Sequence, residues 1–213
     1  MCVDTNFTPT PLVRRELLHR GVKFDFERLT FQGSSGSTIS RECIRHPGSV
    51  IIAPILTGAW PGTWPGTWPG AGPGAGIGPV NGEPTLIMIR CWRLATERWM
   101  LELPAGTMVR GEDPAACAAR ELEEETGYRT GRLEPLGAFH TAPGLTDEYM
   151  HAFVARDLTP VRQRLEEDER IEVVPTPARA VGGLLASGQV TDAKTLLVLH
   201  ILLRSGLLEQ AAS

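Results

Sequence analysis

The chain has 213 residues, 42% of them hydrophobic and 22% charged, and a net charge of −4 at neutral pH. That is room for one good-sized domain with an appendage, and the lack of any basic block removes the electrostatic reason to expect a nucleic-acid partner. No apolar run approaches the ~18 residues of a membrane helix, and the first fifteen residues lack the apolar core of a signal peptide, so a soluble cytoplasmic protein with no membrane partner is expected. Cys2, Cys43, Cys91 and Cys117 are scattered with no Cys-x-x-Cys pair, which suits reduced thiols rather than a disulfide frame or zinc site.

Residues 1–20 are polar and show no clear periodicity. Residues 22–31 alternate, so Phe24, Phe26, Leu29 and Phe31 are predicted to face inward from one or two strands. After the Gly33 to Gly36 turn, Thr38 to Ile44 reads as another strand. Residues 1–45 therefore form a small antiparallel N-terminal β layer. The main domain is placed at 46–205 and opens with a buried strand around Val50, Ile51 and Ile52. Residues 58–82 form a Pro/Gly/Trp-rich loop, where Trp60 to Pro79 repeats with period four and excludes helix or central strand. That loop is either a sticky binding element or a tolerated repeat expansion. Strands follow at 85–93 and 98–103.

Beyond the central segment at 106–128, Leu133 to Phe139 and Glu148 to Ala155 are strand candidates around a turn-rich loop from His140 to Glu148. An acidic loop at 165–170 precedes a short strand, Ile171 to Val174. Helices are predicted over Pro177 to Ser187 and Thr191 to Ser205, and 206–213 is a tail. Mixed strands with helices on both sides predict an α/β/α sandwich.

Residues 106–128 carry the chemistry. Asp113 is a good N-cap, Pro114 fits the first turn, and Gly127 is a natural stop. Ala115, Ala118, Ala119 and Leu122 make an apolar stripe, while Glu121, Glu124 and Glu125 gather on a neighbouring face. Like charges at this spacing cost roughly 0.2–0.5 kcal/mol per pair. A solvated acidic face is one account of the cluster. A hard divalent cation with oxygen ligands is the other.

The spacing resembles the Nudix box, Gly-x5-Glu-x7-Arg-Glu-U-x-Glu-Glu-x-Gly-U with U a bulky apolar residue. It is met in full by Gly106, Glu112, Arg120, Glu121, Leu122, Glu124, Glu125, Gly127 and Tyr128. The resemblance implies a Nudix-type α/β/α sandwich with a mixed sheet. It also implies hydrolysis of a nucleoside diphosphate linked to another group, with magnesium or manganese. Leu101 to Gly106, Pro143 sixteen residues after Gly127, the segment Asp168 to Val174 and the segment Asp192 to Thr195 resemble the ADP-ribose pyrophosphatase branch. Arg90-Cys91-Trp92-Arg93 departs from that branch's usual Arg-Gln-Tyr/Phe-Arg but keeps both arginines.

The activity implied is splitting of ADP-ribose to AMP and ribose 5-phosphate. Other nucleotide sugars such as GDP-mannose or ADP-glucose, and a non-catalytic ADP-ribose sensor, are the alternatives. By resemblance, Glu121, Glu125, Glu124 and the Ala105 carbonyl are the metal ligands, and Glu112 is an outer ligand or loop anchor. Arg120 orients the carboxylates. The general base is expected from Glu166, Glu167 or Glu169, with Glu167 preferred. Arg93 would bind phosphate or adenosine. Glu102 would hold substrate or metal water, or cap the loop. Pro143 and Gly144 would shape the pocket for the terminal ribose. The family branch further implies a homodimer, in which Phe24, Phe26 and Phe31 would serve either an interface or ordinary core.

Overall fold

The computed structural model describes residues 11–57 and 83–208. The Trp-Pro-Gly repeat and the rest of the 58–82 loop lie outside the described residues. The chain divides into two compact units: Met1–Pro47 with His140–Tyr149, and Gly48–Phe139 with Met150–Ser213.

The smaller unit is an antiparallel sheet of β1 (Leu12–Arg20), β2 (Asp25–Gln32) and β3 (Thr38–Arg45), in that order. Charged pairs run across it: Arg28 faces Glu42 directly at 3.0 Å, and Glu27 accepts from both Arg15 (2.9 Å) and Arg45 (2.8 Å). The exposed Arg28–Glu42 pair is screened by solvent and contributes little to stability. β1 falls where no element was predicted. Nearly all its residues are exposed, so it carries no burial alternation to read. Phe24 and Phe26, predicted to face inward, are 45% and 39% exposed. The physical reason is that, among the described residues, no helix belongs to this unit to cover the sheet. The 140–149 segment is tied to β3. Ile44 donates its N–H to Leu145 O, Asp147 donates to Ile44 O, and Asp147 accepts from Arg45 Nη1 and the His46 N–H, both at 2.8 Å.

The larger unit holds β4 (Ser49–Leu56), β5 (Thr85–Arg93), β6 (Arg98–Glu102), β7 (Ala105–Thr107), α1 (Pro114–Thr126), β8 (Tyr128–His140), β9 (Tyr149–Pro160), β10 (Ile171–Pro177), α2 (Val181–Ser187) and α3 (Ala193–Ser205). The sheet order is β10-β5-β4-β9-β8, with β6 on β5 and β7 on β4. β4 runs parallel to β9 and antiparallel to β5, so the sheet is mixed.

β4 is buried at every position. Its alternate side chains enter different cores. Val50 and Ile52 meet Met108, Cys117, Ala118 and Leu122 on the α1 side. Ile51, Ala53 and Ile55 meet Val181, Leu184, Val198, Leu199 and Leu202 on the side of α2 and α3. Each such side chain contributes about 1.5–3 kcal/mol of burial. The predicted sandwich is therefore the observed one. Leu208, inside the predicted tail, is 3% exposed and joins the second core.

The helix predicted to start at Pro177 begins later. β10 extends to Pro177, because residues 171–177 ladder onto 91–85. Pro175 and Pro177 are tolerated since β10 is an edge strand. A tight turn over Ala178–Ala180 then leads into α2. Among the described residues no helix is long and apolar enough to cross a membrane.

Candidate active site

Local chemistry sets α1. The Asp113 side chain accepts the Ala116 N–H at 3.0 Å, Pro114 opens the first turn, and Gly127 closes the helix in the left-handed region (φ 71°). Gly127 has a second reason to lack a side chain. A Cβ there would meet Val161 O at 3.1 Å and Gln163 N at 3.2 Å. Those contacts exist because residues 161–164 clasp the helix end. Val161 N–H donates to Gly127 O, Arg164 N–H to Glu124 O, and Gln163 Nε2 to Glu125 O.

Arg120 sits among the carboxylates. Its Nη1 donates to Glu121 (2.8 Å) and Glu124 (3.0 Å), while Nε and Nη2 reach Glu112 at 3.3 and 3.4 Å. Glu112 in turn accepts the Val109 N–H at 2.8 Å, which anchors the loop before the helix. Glu121 lies directly over Gly106, whose missing side chain leaves the space for it. Glu125 is 4% exposed and accepts the Ala105 N–H at 2.9 Å, which joins β7 to α1. Burial holds its carboxyl well above the usual carboxylate range, and Glu121 and Glu169 add to that. Burial likewise raises Glu121, against the opposing charge of Arg120.

The end of β5 and β6 supplies the second part. Glu102 is 1% exposed and accepts both Arg93 Nε (2.8 Å) and Nη2 (2.7 Å), a bidentate fork. Lys194 Nζ donates to the same carboxylate at 2.5 Å. Burial pushes the Glu102 carboxyl up, but Arg93 and Lys194 outweigh it and hold it below its ordinary value. Arg90 turns elsewhere, to Glu172 at 3.1 Å and over the Trp99 ring at 4.5 Å.

The acidic loop is pinned at both ends, by the 161–164 clasp and by the Trp92 N–H to Arg170 O bond. Glu169 is among the charges that raise both Glu121 and Glu125. Its carboxylate also accepts the Glu166 N–H at 2.9 Å. The Glu167 carbonyl accepts from Arg170.

The NUDIX domain pattern matches residues 71–196. The ADP-ribose pyrophosphatase of Bacillus subtilis (strain 168) is 31% identical over 192 residues, covering 89% of this chain and 90% of that protein. This chain belongs to the NUDIX family. Among further relatives, the methanol dehydrogenase activator of Bacillus methanolicus is 31% identical over 170 residues, 79% of this chain and 78% of that one. GDP-mannose pyrophosphatase of Citrobacter koseri is 32% identical over 134 residues, 58% and 69% of the two chains. The crystal structure of an ADP compounds hydrolase shares the fold, with a TM-score of 0.72 at 23% identity over 97% of this chain and 98% of that chain.

In this Nudix chain, no three acidic, histidine or cysteine side chains among the described residues converge as a ready-made cation cage. Glu121 and Glu124 both turn to Arg120 Nη1 instead. The donor chemistry still fits a hard divalent cation. The set is all oxygen, and burial, with the charges of Glu121 and Glu169, holds the Glu125 carboxyl above its ordinary range, so that added positive charge would ionise it. Pro143 and Gly144 belong to the segment tied to β3, in the smaller unit. The sequence reading missed the roles of Lys194 and Thr195 and the clasp at 161–164. The signal for the first two was present, because Asp192 in Asp-x-Lys-Thr is a helix cap.

Proposed function

We propose that this chain hydrolyses the pyrophosphate of ADP-ribose to AMP and ribose 5-phosphate with the help of divalent cations, magnesium or manganese. The observation that carries this reading is the pairing of the Glu121, Glu124 and Glu125 cluster with the Arg93 and Glu102 fork in one unit. The similarity to an ADP-ribose pyrophosphatase over most of both chains supports the substrate class. The GDP-mannose pyrophosphatase relatives favour a second reading, hydrolysis of other nucleoside diphosphate sugars.

Glu121, Glu124, Glu125 and the Ala105 carbonyl would hold the cation, which supplies charge neutralisation at the phosphate oxygens and a more acidic water. Arg120 orients Glu112, Glu121 and Glu124. Arg93, held by Glu102, presents its remaining guanidinium hydrogens to a phosphate oxygen. The attacking water gives its proton to a carboxylate of the acidic loop, and Glu169, whose charge raises both Glu121 and Glu125, is the first choice among Glu166, Glu167 and Glu169. The P–O bond to the departing phosphate breaks as the bond from water forms. The exposed Phe24 and Phe26 suit a homodimer interface, and the scattered thiols suit a reducing cytoplasm.

The test is a panel of ADP-ribose, ADP-glucose and GDP-mannose with magnesium or manganese, reading products by chromatography. AMP release fastest from ADP-ribose is expected. ADP-ribose among the poorest substrates would overturn the first reading in favour of the second.

A further inference from the structure

Glu102 is a buried carboxylate shared by two cations. Its Oε1 accepts Arg93 Nε at 2.8 Å, and its Oε2 accepts Arg93 Nη2 at 2.7 Å and Lys194 Nζ at 2.5 Å. Lys194 also pairs with Asp192 Oδ1 at 2.8 Å. The other Asp192 oxygen caps α3 by accepting the Thr195 N–H at 3.0 Å. Thr195, fully buried, accepts the Leu103 N–H through its hydroxyl at 3.0 Å. The first turn of α3 thus grips two successive residues at the end of β6: the side chain of Glu102 and the backbone of Leu103. Those residues deliver the chain to Ala105 and Gly106.

Resting on the reading of Arg93 as the phosphate-binding arginine, we propose that Lys194 is a positioning residue for Arg93, acting through Glu102. Both Lys194 contacts are to carboxylates, so it serves as a counter-charge rather than as an anion ligand. The four groups Arg93, Lys194, Glu102 and Asp192 sum to zero charge. Without Lys194 they sum to −1, and an anionic phosphate approaching Arg93 meets a repulsive cluster. Arg93 is the exposed end of this network, its side chain 39% accessible, whereas Lys194 is 16% accessible. Lys194 also fixes the Glu102 oxygen that Arg93 Nη2 uses, so its loss frees the carboxylate to turn. Orientation and charge act in the same direction.

The experiment compares wild type, Lys194→Met and Lys194→Arg. Lys194→Met is expected to raise KM for ADP-ribose about ten-fold, the size of one charge-assisted hydrogen bond, with kcat within about two-fold. Lys194→Arg keeps the charge and should recover most of the loss. A second readout needs no substrate: the Arg93 Nε–H resonance, assigned by its absence in Arg93→Lys, should exchange faster with solvent in Lys194→Met and be restored in Lys194→Arg. A merely structural lysine would lower thermal stability and leave KM and that resonance in place. Unchanged KM in a folded, active Lys194→Met, or an arginine variant as impaired as the methionine one, overturns the proposal. If wild type turns over no ADP-ribose, the functional reading fails on its own, and the resonance comparison still decides whether Lys194 positions Arg93.

Discussion

The side chain of Glu121 occupies the space where Gly106 would carry a Cβ, which would lie 1.9 Å from the Glu121 carboxylate carbon. The glycine of the box is therefore a steric requirement of Glu121. Gly106→Ala must push Glu121 away from Arg120 Nη1. Overpacking of this kind costs about 1–3 kcal/mol, and displacing a reacting group by roughly an ångström costs on the order of 100-fold in rate. Steady-state kinetics beside thermal melting should show the rate loss exceeding the stability loss. Near-normal kcat in Gly106→Ala would remove Glu121 from the metal set.

Glu125 ties activity to instability. Its carboxyl is raised by burial and by Glu121 and Glu169, while the Ala105 N–H and Arg93 oppose this. A carboxyl raised in the folded state contributes stability that is complete below its unfolded pKa and lost as pH rises through its folded one. In chelator, Glu125→Gln should match wild type near pH 4, about the ordinary glutamate value. At pH 8 it should melt higher, on the order of 2–4 °C for each ~1 kcal/mol relieved. Added magnesium should stabilise wild type alone, and the variant should lack turnover. Equal melting at pH 8 in chelator would contradict the account of Glu125.

The acidic loop offers a contrast between neighbours. Glu169 acts electrostatically on two box carboxylates, and the Glu167 carbonyl is engaged with Arg170. Glu169→Gln should lower kcat by about 100- to 10,000-fold, the range for a lost general base. Glu167→Gln should keep most of it. The reverse ranking in a pH–rate comparison would identify Glu167 as the base instead.

Glu102 has the opposite linkage from Glu125. Burial raises it, but Arg93 and Lys194 prevail and lower it. Its contribution is present above the ordinary glutamate value and disappears as pH falls through its lowered one. Glu102→Gln should cost about 1–3 kcal/mol at pH 7 by unpairing buried partners. The gap to wild type should close in acid, as chemical denaturation at pH 7 and pH 3 would reveal. A gap that is constant with pH would mean that Glu102 matters by shape alone.

What could be read in advance was local. Asp113, Pro114 and Gly127 mark α1 within a single helix length, and the glutamate spacing places one face of it without any knowledge of the fold. Val50 to Ile52 announced a buried strand, as β4 is. The Glu102 to Lys194 pair spans 92 positions, so no periodicity contains it. β1 was unreadable for another reason, because exposed strands show no apolar alternation. The start of α2 was misplaced because Pro177 reads as a helix opening when taken alone, yet it lies opposite Thr85 at the end of a ladder. The choice among Glu166, Glu167 and Glu169 rested on resemblance, since spacing within a short loop does not rank its carboxylates.

The chain passes between its two units three times, after Pro47, after Phe139 and after Tyr149. No single cut can therefore separate them. A fragment beginning at Gly48 would keep residues 140–149 but lose Ile44, Arg45 and His46, which bond to Leu145 and Asp147. The loop with Pro143 and Gly144 would then be an orphan on an otherwise intact sandwich. For the same reason, a gene encoding the sandwich cannot exchange its N-terminal sheet for another without also replacing ten residues deep inside its own reading frame.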